Sequence, residues 1–163
     1  MGRCILKIIG IDPGNKGAIA VLDDGVLTEV YDMPTTQIVV GGKNRNQILP
    51  ALVADLFFLI KPHFVMLEQV GTRPGEGAVG AFTFGRGLGV LEGVIASHGI
   101  ASSYVTPAVW KKALRLSAEK SVSRLMAIRL FPALADKFRL VKDDGRAEAA
   151  LIAYYAYRIA HNG

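Results

Sequence analysis

The chain is 163 residues long, with a net charge of +5, 51 % apolar residues and a single cysteine, Cys4, which excludes an internal disulfide and reads as a small buried hydrophobe. That length predicts one domain over residues 1–163 with one core, burying roughly 70 % of the surface its unfolded form exposes. The longest nearly uncharged apolar run, residues 48–60, holds Pro50 and Asp55 and falls short of the ~20 residues of a membrane span, and the N-terminus lacks a small-residue cleavage site, so a cytoplasmic protein without membrane partners is expected.

Three short apolar or alternating runs, "CILKIIGI", "GAIAVL" and "GVLTEVYDM", read as strands, with "DDG" at 23–25 as a hairpin signal. Residues 33–44, "MPTTQIVVGGKN", read as a loop whose paired glycines suggest mobility. From Asn44 to Lys61 apolar residues recur at helical spacing, with Asn44 or Asn46 as the cap and Pro50 near the first turn. "HFVMLEQ" is a fourth strand ending near Glu68, and "GTRPGEG" (71–77) a flexible loop. A glycine-rich helix follows from about Ala78 to His98. Glycine costs a helix about 1 kcal/mol relative to alanine, so its abundance there requires a packing reason. Gly85, Gly89 and Gly93 fall on one stripe, open to close approach by a partner's helix or by the protein's own sheet. "ASSYVT" is a fifth strand, followed by helices over Pro107–Leu116, Ser117–Phe131 and about Asp143–Ala160. There are no internal repeats, low-complexity tracts or linkers.

A hairpin followed by helical crossovers predicts an α/β fold with a mixed five-stranded sheet, helices on both faces, and the first, fourth and fifth strands parallel. Open α/β sheets place their sites outside the carboxyl ends of such strands. Asp12 ends the first strand and Glu68 the fourth, while Asp144 and Glu148 lie four apart on one face of the last helix. Each acid alone has a plainer reading. Asp12 can be a turn acid, Glu68 a solvated strand end, Asp143 or Asp144 a helix N-cap, and Glu148 an exposed helical acid. Convergence at one edge is what separate readings do not predict. Such a cluster raises its own pKa values unless cations compensate, and hard Mg²⁺ or Mn²⁺ suits carboxylate oxygens. Two metals ~3.5–4 Å apart would activate water and stabilise the leaving oxygen of a phosphodiester. His63, His98 and His161 follow no ligand or nucleophile spacing and read as structural.

Residues 104–142 hold nine basic residues against Glu119 and Asp136, a local charge of +7 that leaves −2 for the rest. That asymmetry points to a polyanion, most simply nucleic acid, or else to a solvated helical face.

Taken together, "IIGIDPGNKGAIAVL", "MLEQV", "FGRGLGVLEGVI", "YVTPAVWKKAL", "SAEKSVSRLMAIRLF" and "DDGRAEAALIAYYAY" resemble the RuvC-type Holliday junction resolvases of the ribonuclease H-like superfamily, particularly the short phage variants. The resemblance covers nearly the whole chain. It implies a homodimeric, metal-dependent endonuclease that nicks four-way DNA junctions symmetrically, in a bacterial or phage-infected cell. Asp12, Glu68, Asp144 and Glu148 would carry two Mg²⁺ or Mn²⁺ ions, and the glycine-striped helix would pair the subunits. Lys111, Lys112 and Lys120 sit where that family places phosphate-contacting lysines, and Arg73 and Arg86 are further candidates for DNA backbone contact. Two departures stand out. Gly145 occupies the position three before Glu148 where bacterial members carry an acid, leaving Asp144 or Asp143 as the ligand, and Gly71 lies where they carry an aromatic wedge.

Rival readings are an actin-like ATPase, for which the chain is short, a ribonuclease H-like nuclease acting on flaps or other branched DNA, and a junction-binding protein without catalysis.

Overall fold

The computed structural model describes residues 6–71, 75 and 77–162. Cys4 and Arg73 therefore lie outside the described residues. Strands β1 (Lys7–Asp12), β2 (Ala18–Asp23) and β3 (Val26–Asp32) form an antiparallel meander. The β2–β3 turn takes left-handed angles at Asp24 (φ 46°) and Gly25 (φ 84°), the geometry a two-residue hairpin requires. After β4 and β5, described below, and helix α1 (Pro50–Ile60), strand β6 (Phe64–Glu68) runs parallel to β1. Helix α2 (Ala78–Ser97) leads to β7 (Ala101–Val105), which is parallel to β6. Among the described residues the main sheet is thus five-stranded and mixed, in the order β3-β2-β1-β6-β7. The chain ends with α3 (Pro107–Ala113), α4 (Lys120–Leu130), two 3₁₀ segments (Pro132–Phe138 and Val141–Asp143) and α5 (Asp144–Asn162).

Strand alternation gives the sheet two apolar faces. Ile8, Ala18, Ala20 and Leu22 face Ala149, Ala150 and Ala153 of α5, with Trp110 and Phe138 completing that core. Ile9, Ile11, Ile19 and Val21 face Val53 and Phe57 of α1 and Leu91, Val94 and Ile95 of α2. Small residues let α5 settle on the sheet: a Cβ at Gly10 of β1 would fall 2.2 Å from the Ala149 carbonyl oxygen. The helix backbone occupies the space a side chain would need.

The segment expected to be a mobile loop is instead an antiparallel hairpin, β4 (Thr35–Val40) paired with β5 (Lys43–Ile48). Its Gly41-Gly42 turn adopts φ 58° and 72°, so the paired glycines that suggested mobility are the residues a tight hairpin turn selects. For the same reason α1 starts at Pro50 rather than Asn44: residues 43–48 are committed to strand pairing, and proline fits the first helical turn. The other helices lie within a few residues of their expected bounds, α4 starting at Lys120 rather than Ser117 and α3 ending at Ala113.

Helix α2 settles the glycine stripe. A Cβ on Gly85, Gly89 or Gly93 would meet nothing within 4 Å, so the stripe faces away from the sheet, whereas Gly87 lies against Ile48. At 20 residues and a mean hydropathy of 1.3, α2 is also long and apolar enough to cross a bilayer, a property that weighing residues 48–60 alone overlooked. In this fold its Leu91, Val94 and Ile95 are buried against the sheet.

Candidate active site

Two of the four predicted acids are placed by strand register. Ile11 lies opposite Leu67, so Asp12 and Glu68 emerge together at the carboxyl ends of two parallel neighbours. The turn after Asp12 closes back on it, the Gly14 N–H donating to its Oδ1 at 3.4 Å.

The other two arrive on α5. A Cβ at Gly145 would stand 2.6 Å from the Lys16 carbonyl oxygen and 3.2 Å from Asp12 Oδ2. Gly145 therefore replaces an expected acid with close approach, letting the start of the helix settle on the β1–β2 turn. An open cleft results, lined by Asp12, Lys16, Lys120, Asp143, Asp144 and Arg146 among others.

Glu68 is buried, and its Oε1 accepts a 2.9 Å hydrogen bond from Nε1 of Trp110, itself fully buried on α3. Burial pushes the Glu68 carboxyl up to about 7, the charges of Asp12 and Glu148 add to that, and Trp110 and Lys111 oppose it. Glu148, also buried, is paired with Lys111 at 3.1 Å, and Lys111 lies 5.1 Å from the centroid of the Trp110 ring. Asp144 pairs with Arg124 of α4. Asp143 is 1 % exposed and already committed, accepting the Leu140 N–H at 2.9 Å and an Arg146 bond at 3.2 Å. Arg146 also grips Asp32, at the end of β3, through two bonds of 2.6 Å, which holds the Asp32 carboxyl below its ordinary value.

The predicted basic residues divide. Lys111 belongs inside the acid cluster, and Lys120 lines the cleft with Asp12 and Asp144. Lys112 is exposed on α3 beside Arg115. Arg86 lies on α2 next to the β4–β5 hairpin, away from the acids. The sequence reading missed Trp110, Arg124, Arg146 and Asp32. Trp110 is the chain's lone tryptophan, but nothing in "PAVWKKAL" couples it to Glu68, 42 residues earlier.

The donor chemistry fits a hard divalent cation: carboxylate oxygens, one of them lifted in pKa by burial and, to a smaller extent, by its acidic neighbours. As the side chains stand, no three acid, histidine or cysteine groups among the described residues lie close enough to hold one ion, and Lys111 and Arg124 occupy two of the four acids.

No family model matches the chain, and no curated protein matches it in sequence. Solved structures do match its fold. Thermus thermophilus RuvC in complex with Holliday junction substrate superposes with a TM-score of 0.65 at 18 % identity, covering 96 % of both chains. A second Thermus thermophilus RuvC structure gives 0.60 at 19 % identity over the same shares. The yeast mitochondrial Holliday junction resolvase Ydc2 gives 0.58 at 17 % identity, covering 93 % of this chain and 77 % of that one. The fold is the α/β, ribonuclease H-like one expected from the sequence.

Proposed function

We propose that the protein is a Holliday junction resolvase, a metal-dependent endonuclease acting as a homodimer on four-way DNA junctions. The observation that carries this reading is the edge at which Asp12 and Glu68 leave adjacent parallel strands beneath the acidic start of α5. The fold shared with RuvC and Ydc2 supports it.

In this reading Asp12, Glu68, Asp144 and Glu148 hold two Mg²⁺ or Mn²⁺ ions, which supply an activated water and stabilise the leaving oxygen. Asp144 rather than Asp143 is the helix ligand, because the Asp143 carboxylate is committed to Leu140 and Arg146. Trp110 orients Glu68, and Lys111 and Lys120 bring positive charge to the phosphate. The outward glycine stripe of α2, with Phe82 and Val79 exposed on the same helix, supports subunit pairing there.

One observation favours a second reading, junction binding without cleavage: Lys111 and Arg124 neutralise Glu148 and Asp144 in place of cations. Incubation with labelled four-way junction, matched duplex and flap in Mg²⁺, with Asp12→Asn alongside, separates the readings. Paired nicks confined to the junction and abolished by Asp12→Asn are expected. Equal cutting of flaps indicates a broader branched-DNA nuclease, and tight binding with no cutting supports the second reading.

A further inference from the structure

The β4–β5 hairpin meets the acid cleft at Thr35, its first residue, and the rest of it is built alongside. Asn15, in the turn that follows Asp12, donates from Nδ2 to the Asn46 carbonyl at 2.9 Å and so ties β5 to the catalytic edge. A groove lined by Asn15, Lys16, Asn44, Arg45 and Asn46 runs between hairpin and α2. It shares Asn15 and Lys16 with the acid cleft, so the two concavities are continuous.

The chemistry of the hairpin is one-sided. From Met33 to Ala54 the chain holds Lys43 and Arg45 and no acid, and Asn44, Asn46 and Gln47 fill out the rest of β5 before Ile48. Lys111, Arg124 and Arg146 are all held by carboxylates, whereas Lys16, Lys43 and Arg45 form no ion pair among the described residues. Arg45 goes further: its Nε is buried without a hydrogen-bond partner among the described residues. Arg45 also lines the open groove, so an acceptor entering there can meet the remaining N–H groups of its guanidinium.

The spacing is compatible with a nucleic-acid backbone. Lys43 and Arg45, two residues apart in β5, project from the same side of the strand. A strand rises ~3.3 Å per residue, so the two lie about 7 Å apart, the axial span of ~2 nucleotides of one DNA strand. At the far end the exposed Gly41-Gly42 turn carries Val39, 71 % exposed, and Val40, 41 % exposed, with no core to cover them.

We propose that the β4–β5 hairpin is a DNA-binding arm, in which Lys16, Lys43 and Arg45 take phosphates of the strand leading into the acid cleft. These contacts set register rather than sequence. This inference rests on DNA being the substrate.

The test uses the non-cleaving Asp12→Asn protein and a labelled four-way junction, with affinity measured across a salt series. Each phosphate contact contributes about 0.9 to the slope of log affinity against log salt, so Lys43→Gln combined with Arg45→Gln lowers the slope by about 2 and weakens binding at least tenfold. Lys43→Glu alone, at an exposed position that leaves the fold untouched, loses about half as much of the slope. Arg158→Gln, exposed near the far end of α5 and outside the basic segment, leaves the slope unchanged. Unaltered affinity and slope in Lys43→Glu and in the double variant, while the Asp12→Asn parent binds normally, overturns the arm and spares the resolvase reading. If the parent itself binds no junction, both fall.

Discussion

The four acids of the candidate site are positioned by two different devices. Asp12 and Glu68 are fixed by backbone: two parallel strands in register end side by side, and the acids follow from where the strands stop. Asp144 and Glu148, with Asp143 beside them, are fixed by side chains, through Arg124, Lys111 and Arg146. Register is set by many cooperative hydrogen bonds and a buried pattern, so it resists single changes. An ion pair depends on one partner, so the helix side can be retuned residue by residue. In this chain the strand side supplies the invariant geometry of the site, and the helix side supplies its adjustable charge.

The largest effects should therefore come from the strand acids. Asp12→Asn and Glu68→Gln keep the shape and remove charge, so each should lower cleavage by about 10³-fold or more while junction affinity holds, the scale reached when preorganised electrostatic groups are removed. On the helix side Asp144→Asn should lose cleavage and Asp143→Asn should instead lose stability, by about 1 kcal/mol for the bond to the Leu140 N–H. Cleavage assays and urea melts on both variants decide the matter. If Asp143→Asn is the inactive one, the ligand assignment is reversed. Gly145→Ala tests the seam between the two sides, because its Cβ would press on the Lys16 carbonyl and Asp12 Oδ2. It should destabilise the protein by about 1–3 kcal/mol, the usual range for overpacking, and depress cleavage with it.

The same division explains what could be read from the sequence. Strands β1, β2, β3, β6 and β7 announced themselves through apolar runs and turn residues, and the parallel pairing of β1 with β6 followed from the intervening helix. Asp12 and Glu68 were legible because they stood at the ends of those runs. The hairpin was not, because "GGKNRNQI" carries turn and amide residues that a loop would also carry, and the helical spacing of Ile48 and Leu49 drew the helix start backward. Trp110, Arg124, Arg146 and Asp32 act across separations of 20 to 114 residues, where no local pattern couples the partners. The outward direction of Gly85, Gly89 and Gly93 likewise depended on which side of α2 meets the sheet.

Trp110→Phe asks how far the strand acids depend on help from side chains. It removes the hydrogen bond to Glu68 while filling nearly the same space. That bond lowers a carboxyl that burial lifts to about 7, so its loss raises the carboxyl further and demands a higher pH for ionisation. The acid limb of the pH–rate profile should move upward, with roughly tenfold lower kcat at neutral pH, the scale of losing an orienting partner to a ligand. A fall in stability with an unmoved acid limb would reduce Trp110 to packing alone.

The smallest expected effect separates the two arms of Arg146. Asp32 is 67 % exposed, so solvent limits its pair with Arg146 to about 0.5–1 kcal/mol despite the two-point geometry. Asp143 is buried, and the Arg146 bond there is shielded. Because Arg146 holds the Asp32 carboxyl below its ordinary value of 3.8, that arm contributes fully above this pH and fades as pH falls through the lowered value. Arg146→Gln should accordingly be less stable than wild type in urea melts at pH 7, with the gap narrowing toward pH 3. A gap that persists in acid would mean that Arg146 acts through the buried Asp143 and its packing, and that the start of α5 is anchored from inside the fold rather than clasped to the end of β3.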